Sequence, residues 1–195
     1  MKINRIMMAL CLCLSLVGAK AQESHWSVNI YNYQYDMTAY LALTADGEAV
    51  TDYGNYEVAA FCGEECRGVA TVQTAGGTSY CYLRIRSNQA SGETITFKVY
   101  VKDTGREVDV DGTTMTFNSN TVQGMPSSPV VLNFMPYMPG DADGDGEITI
   151  NDVIMAIDAS LGNPSTSFIA PAADLDGDGE ITINDVILMI DLTLQ

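Results

Sequence analysis

Two twelve-residue segments carry the chemistry this sequence announces. Asp141 to Asp152 reads DADGDGEITIND, and Asp174 to Asp185 reads DLDGDGEITIND, so eleven of twelve positions are identical. Each places carboxylates at positions 1, 3 and 5, glycine at 6, an aliphatic residue at 8 and a carboxylate at 12. Calcium takes six to eight hard oxygen ligands, and a tight loop supplies them when alternate side chains face inward. The expected ligands are Asp141, Asp143, Asp145, Glu147 and Asp152 in the first loop. In the second they are Asp174, Asp176, Asp178, Glu180 and Asp185. Glu147 and Glu180 enter through their backbone carbonyls, and Asp152 and Asp185 close the sites from the first turn of a helix. Gly146 and Gly179 let the backbone bend at position 6 without a Cβ penalty. Ile148 and Ile181 are expected to pair the loops across a short β-bridge.

The elements that hold these loops repeat with them. VIMAIDASL follows the first loop and VILMIDLTL the second, which marks a duplicated structural unit. Val153, Ile154, Ile157 and Leu161 recur at helical spacing and predict one apolar helix face, as do Val186, Ile187, Ile190 and Leu194. Gly162-Asn163-Pro164 ends the first helix. Pro139-Gly140 and Pro171-Ala172-Ala173 precede the loops, so each unit is a loop with an exiting helix and no entering one.

A duplicated DxDGDGxIxxxD loop with Asp at position 12 and a single following helix resembles the type I dockerin. The resemblance covers Asp141 to Leu194. It implies two structural calcium ions, a compact pair of antiparallel helices, and docking to a cohesin domain on a scaffold or surface, most often beside polysaccharide-degrading enzymes. Family members often carry a Ser-Thr pair at loop positions 10 and 11, where this chain has Ile150-Asn151 and Ile183-Asn184. By the same resemblance the partner face draws on Ile150, Asn151, Ile157 and Asp158, and equally on Ile183, Asn184, Ile190 and Asp191. The pseudo-two-fold repeat would allow either copy to bind.

Charge agrees with bound cations. The chain holds 25 acidic and nine basic residues. From Asp141 to Gln195 there are twelve carboxylates and no Lys or Arg. So acidic a surface argues against nucleic acid or anionic lipid as a partner. The aliphatic content of that segment argues for folding around ions rather than for a solvated tail.

Met1 to Ala21 reads as a secretory signal peptide, with Lys2 and Arg5, an apolar run over Ile6 to Val17 and Ala19-Lys20-Ala21 as cleavage site. Twelve apolar residues are too few to span a bilayer, which takes about 20. Leu12 before Cys13 is too bulky for lipoprotein processing. An extracellular or cell-surface location follows as the expectation.

Residues 22–134 are expected to form an all-β sandwich, immunoglobulin-like in size and antiparallel. Strand signals fall at His25–Tyr31, Met37–Leu43, Tyr56–Cys62, Cys66–Val72, Ser79–Arg86, Thr94–Lys102 and Val130–Phe134. Turn signals separate them, among them Asp46-Gly47, Gly76-Gly77 and Thr104-Gly105. Residues 135–140, with two prolines, read as a linker, and residues 141–195 as the calcium module. Cys62 and Cys66 flank a three-residue hairpin and are expected to form a disulfide after export, leaving Cys81 a buried thiol. Trp26 and eight tyrosines between Tyr31 and Tyr82 suggest either sugar-stacking faces or ordinary core and edge packing.

His25 is the only histidine, and no acid/base or nucleophile motif accompanies it. The chain therefore reads as a secreted, non-catalytic protein in which a β-sandwich binding or adhesion module is docked through a calcium module to a cohesin-like partner. A structural surface protein rigidified by calcium is the alternative, and a small polysaccharide-acting hydrolase is the third reading. Polysaccharide is the other partner class considered.

Overall fold

The computed structural model describes residues 24–110 and 112–194. The segment read as a signal peptide lies outside the described residues. Among the described residues eleven strands make two sheets. The first sheet contains β1 (Tyr35–Ala45), β2 (Glu48–Ala49), β5 (Thr71–Ala75), β6 (Thr78–Ser87), β10 (Val122–Gln123) and β11 (Val130–Phe134). The second contains β3 (Tyr56–Cys62), β4 (Glu65–Val69), β7 (Ser91–Val101), β8 (Arg106–Asp109) and β9 (Met115–Asn118). Helices α1 (Ile150–Ser160), α2 (Ala170–Ala173) and α3 (Ile183–Thr193) follow.

Alternation creates the core. In β1, Met37, Ala39, Leu41 and Leu43 are buried while their neighbours are half-buried, as period-two side-chain placement requires. Leu83 and Ile85 of β6 and Leu132 and Phe134 of β11 join them, against Val58, Ile95, Phe97, Val99 and Phe117 from the second sheet. A separate small core lies between the helices, built from Ala142, Val153, Ala156, Ala173, Val186 and Met189.

The strand expectations are met at Tyr56–Cys62 and Val130–Phe134 residue for residue. Three features differ from them. First, β11 and β10 both run parallel to β1, with Leu41 opposite Val130 and Thr38 opposite Val122; the first sheet is mixed, not antiparallel. Second, the segment read as one strand over Cys66–Val72 breaks at Ala70, where the chain leaves β4 in one sheet for β5 in the other. Gly68 makes that crossing possible, because a Cβ there would lie 2.3 Å from the Arg84 carbonyl oxygen of β6. Third, His25–Tyr31 is not a strand. The backbone N–H groups of His25 and Trp26 donate to the Glu57 carboxylate at 3.1 and 3.0 Å. Asn29 then captures the Tyr31 N–H and starts a 3-10 turn at Ile30–Asn32.

The Asp46-Gly47 signal works as expected. Both residues have positive φ, 51° and 80°, the pairing a tight two-residue hairpin demands between β1 and β2.

Candidate calcium centre

Each acidic loop folds upon its own first carboxylate. Asp141 Oδ1 accepts the Gly144 N–H at 2.8 Å, and Oδ2 accepts the Gly146 N–H at 3.1 Å. Asp174 does the same with Gly177 at 2.8 Å and Gly179 at 2.9 Å. Gly146 and Gly179 sit at φ 93° and 87°, conformations open to glycine and strained for other residues. The carboxylates that converge are those of positions 1, 3 and 5 in the first loop and of positions 1, 3 and 12 in the second, where Asp178 stays exposed outside the cluster. Carboxylate oxygens of Asp141, Asp143 and Asp145 lie within 4.8 Å of one another, as do those of Asp174, Asp176 and Asp185.

Position 12 has a second task. Thr149 and Thr182 cap α1 and α3, and Asp152 and Asp185 answer as the reciprocal half of a capping box. Asp152 Oδ2 accepts the Thr149 N–H at 2.7 Å while Oδ1 accepts the Asp143 N–H at 3.1 Å. Asp185 accepts the matching N–H groups of Thr182 at 2.8 Å and Asp176 at 3.3 Å, and that of Leu175 at 2.9 Å as well. Both carboxylates are fully buried. Thr149 and Thr182 were not singled out in the sequence, although T-x-x-D before an apolar run is a readable cap signal.

The electrostatics point to a cation. Burial, together with the charges of Asp152, Asp145 and Asp141, pushes the Asp143 carboxyl above its ordinary value. Asp176 is pushed up by desolvation and by Asp178, Asp185 and Asp174. Burial opposes ionisation of Asp185 too, but the N–H groups of Thr182, Asp176 and Leu175 outweigh it and hold that group low. Three converging carboxylates in each loop, with no nitrogen or sulfur donor among them, suit a hard cation of calcium type.

The expected bridge between Ile148 and Ile181 is not formed. The repeats are tied instead by Gly140 N–H to the Ala172 carbonyl at 2.7 Å and by Ile169 N–H to the Ala142 carbonyl at 2.9 Å. Glu147 and Glu180 are exposed at the loop rim, and their N–H groups donate to Asp145 and Asp178.

The helix faces depart from the expected pattern. Val153 and Val186 are buried, with Ala156 and Met189 beside them, but the other aliphatic residues are turned outward. Ile150, Ile154, Ile157 and Leu161 form one exposed stripe on α1, and Ile183, Ile187, Ile190 and Leu194 repeat it along α3. Leu161 and Leu194 are 70% and 79% exposed. Packing two eleven-residue helices over alanines leaves room for only one large residue per turn inside. Asn151, Asp158, Asn184 and Asp191 are exposed beside these stripes.

Elsewhere the candidate groups are engaged in packing and hydrogen bonds. His25 stacks on Tyr100 at 3.8 Å, and its Nε2 lies 2.6 Å from Glu107. Tyr40 packs against Tyr80 and Tyr82 with rings inclined at 59° and 60°, so these tyrosines make no flat platform. Cys62, Cys66 and Cys81 are free thiols, which corrects the expected disulfide. The register explains why: Cys66 faces Phe61 and Cys62 faces Glu65 across the β3–β4 ladder, so the two sulfurs project to opposite faces. Cys62 packs toward the inter-sheet core. A polar knot missed in the sequence lies there: Arg67 donates Nη1 and Nη2 to Glu93 at 3.2 and 3.0 Å, and the Ser87 hydroxyl donates to the same carboxylate.

No curated protein and no solved structure matches the chain. One family does, described as the dockerin type I domain, over residues 139–192. That span holds both acidic loops and nearly all of both capped helices, so it is this C-terminal part of the chain that matches the type I dockerin domain.

Proposed function

We propose that residues 141–195 bind two calcium ions and, so loaded, dock the chain to a cohesin domain of an extracellular scaffold or surface partner. The ligands are Asp141, Asp143, Asp145, the Glu147 carbonyl and Asp152, and likewise Asp174, Asp176, Asp178, the Glu180 carbonyl and Asp185. Each loop is EF-hand-like; the first has no entering helix, whereas the second, against the expectation from Pro171-Ala172-Ala173, is entered by the single turn α2, capped at Asp174 with the proline in its first turn. The single observation that carries this reading is the dockerin match over two loops whose carboxylates already converge. The docking surface is the pair of exposed helix stripes, where Ile150, Asn151, Ile157 and Asp158 are matched by Ile183, Asn184, Ile190 and Asp191. Exposed aliphatic residues repeated at helical spacing on two helices form a surface that a partner would cover.

Residues 22–134 are then the cargo, an immunoglobulin-like sandwich without catalytic machinery that serves in binding or adhesion, in a polysaccharide-degrading setting. His25 held between Tyr100 and Glu107 supports a non-catalytic role for the one histidine. Among the described residues no helix is long and apolar enough to cross a membrane.

Isothermal titration of the intact chain with calcium, followed by capture on a panel of purified cohesin domains with and without EGTA, tests the reading. Two ions bound and calcium-dependent capture are expected. Capture indifferent to calcium, or no calcium bound, refutes it.

A further inference from the structure

The two loops are nearly identical in sequence but not in surroundings. Asp141, which opens the first, is fully buried, whereas its counterpart Asp174 is half-buried. One cause is visible. Arg106, the first residue of β8, brings Nη1 to 3.7 Å from Asp141 Oδ2, with its side chain 24% exposed. The calcium module contains no Lys or Arg, so this cation comes from the sandwich. Among the described residues no Lys or Arg pairs with a carboxylate of the second loop. Tyr137, in the linker, separately donates its hydroxyl to Asp46 of the β1–β2 turn, a second tie between the linker and the sandwich.

We propose that Arg106 sets the order in which the loops fill, by lowering the calcium affinity of the first loop relative to the second. This rests on the calcium reading above. A fixed positive charge beside the position-1 carboxylate repels an arriving dication and offsets part of the negative field that attracts it. The second loop lacks that opposing charge and fills first. Linkage makes the effect reciprocal: calcium in the first loop weakens the hold of Arg106 on Asp141 by the same factor. The sandwich thereby becomes a regulator of one calcium site, and calcium in turn loosens the junction between sandwich and dockerin. One charge at this range, partly screened, amounts to about a three- to tenfold change in affinity.

The test is calcium titration of the full chain by calorimetry. Asp174→Asn with Asp185→Asn leaves the first loop alone, and Asp143→Asn with Asp152→Asn leaves the second alone. Arg106→Gln is expected to tighten calcium binding about three- to tenfold in the first-loop chain and to leave the second-loop chain unchanged. No change in the first, or equal change in both, overturns the inference. Should a single-loop chain fail to fold, Arg106→Gln and Arg106→Glu in the otherwise intact chain must progressively tighten the weaker of the two binding steps and leave the stronger unmoved. Tightening of the stronger step instead overturns the proposed order. Absence of calcium binding in the unaltered chain overturns both this inference and the proposed function, whereas two ions bound with no response to Arg106 overturns this inference alone.

Discussion

Removing calcium should unfold the dockerin while leaving the sandwich intact, and the chain carries its own reporters for both. All α-helix among the described residues lies in α1, α2 and α3, so ellipticity at 222 nm reads the dockerin inside the full protein. Trp26 is the only tryptophan; it packs edge-on against Phe61 at 5.6 Å on the second sheet and reads the sandwich. The helix core is small: among the described residues Val153, Val186 and Met189 are its large buried side chains, the rest are alanines, and Met155, Phe168, Leu175 and Ile181 only partly cover it. Eight carboxylates of positions 1, 3, 5 and 12 crowd the two clusters or their hydrogen-bonded rims, and they repel one another when no cation is bound. Ligand linkage contributes ~4 kcal/mol per site when free calcium is about a thousandfold above Kd. Two sites give about 8 kcal/mol, comparable with the whole stability of a typical domain, ~5–15 kcal/mol. Excess EGTA should therefore abolish most of the 222 nm signal and leave Trp26 fluorescence and near-UV dichroism unchanged. A helical signal that survives EGTA, or loss of both signals together, would refute this reasoning.

Three further outcomes are expected from the sandwich. Glu93→Ala strands the Arg67 guanidinium with only the more exposed Glu65 as carboxylate partner, and should cost about 3 kcal/mol in urea unfolding followed by Trp26. Replacing Arg67 with Met and Glu93 with Leu together should recover most of that loss. Burial raises the Glu93 carboxyl, but hydrogen bonds from Ser87 and Arg67 outweigh it and hold the group below its ordinary 4.5. Its contribution is therefore complete above about pH 4.5 and is lost as pH falls through the lower folded value; a stability profile flat across that range would contradict the pairing. Alkylation in guanidinium without reductant should modify all three of Cys62, Cys66 and Cys81, and a single modified site would restore the disulfide. In the native protein Cys81 should react last, because burial pushes its thiol up to about 12. Gly68→Ala forces a Cβ against the Arg84 carbonyl and should cost about 1–3 kcal/mol by overpacking, read as a lowered denaturant midpoint.

What local chemistry dictates was legible in the residues alone. A calcium loop is built from carboxylates a few positions apart and a glycine at the bend, so Asp141–Asp152 and Asp174–Asp185 declare themselves without reference to the rest of the chain. The same holds for strands bounded by turn residues, and β3 and β11 begin and end where their β-branched and aromatic runs do. Capping by Thr149 and Thr182 is equally local, since each cap needs only the aspartate three residues on.

What depends on distant partners was not legible. Nothing in Val130–Phe134 says that it lies parallel to β1, because strand direction is decided by the route of the chain between them. Cys62 and Cys66 look ready to pair by spacing, yet facing partners across the ladder are set by register, and one position of offset sends the sulfurs to opposite faces. Helical periodicity marked Ile154, Ile157 and Leu161 as apolar but could not distinguish a face turned to the core from one left open, because that choice belongs to how closely the helices approach across Ala156, Val186 and Met189. Arg106 stands 35 residues before Asp141 in a short strand with no motif around it. Only the folded chain brings that charge to one of two otherwise equivalent loops.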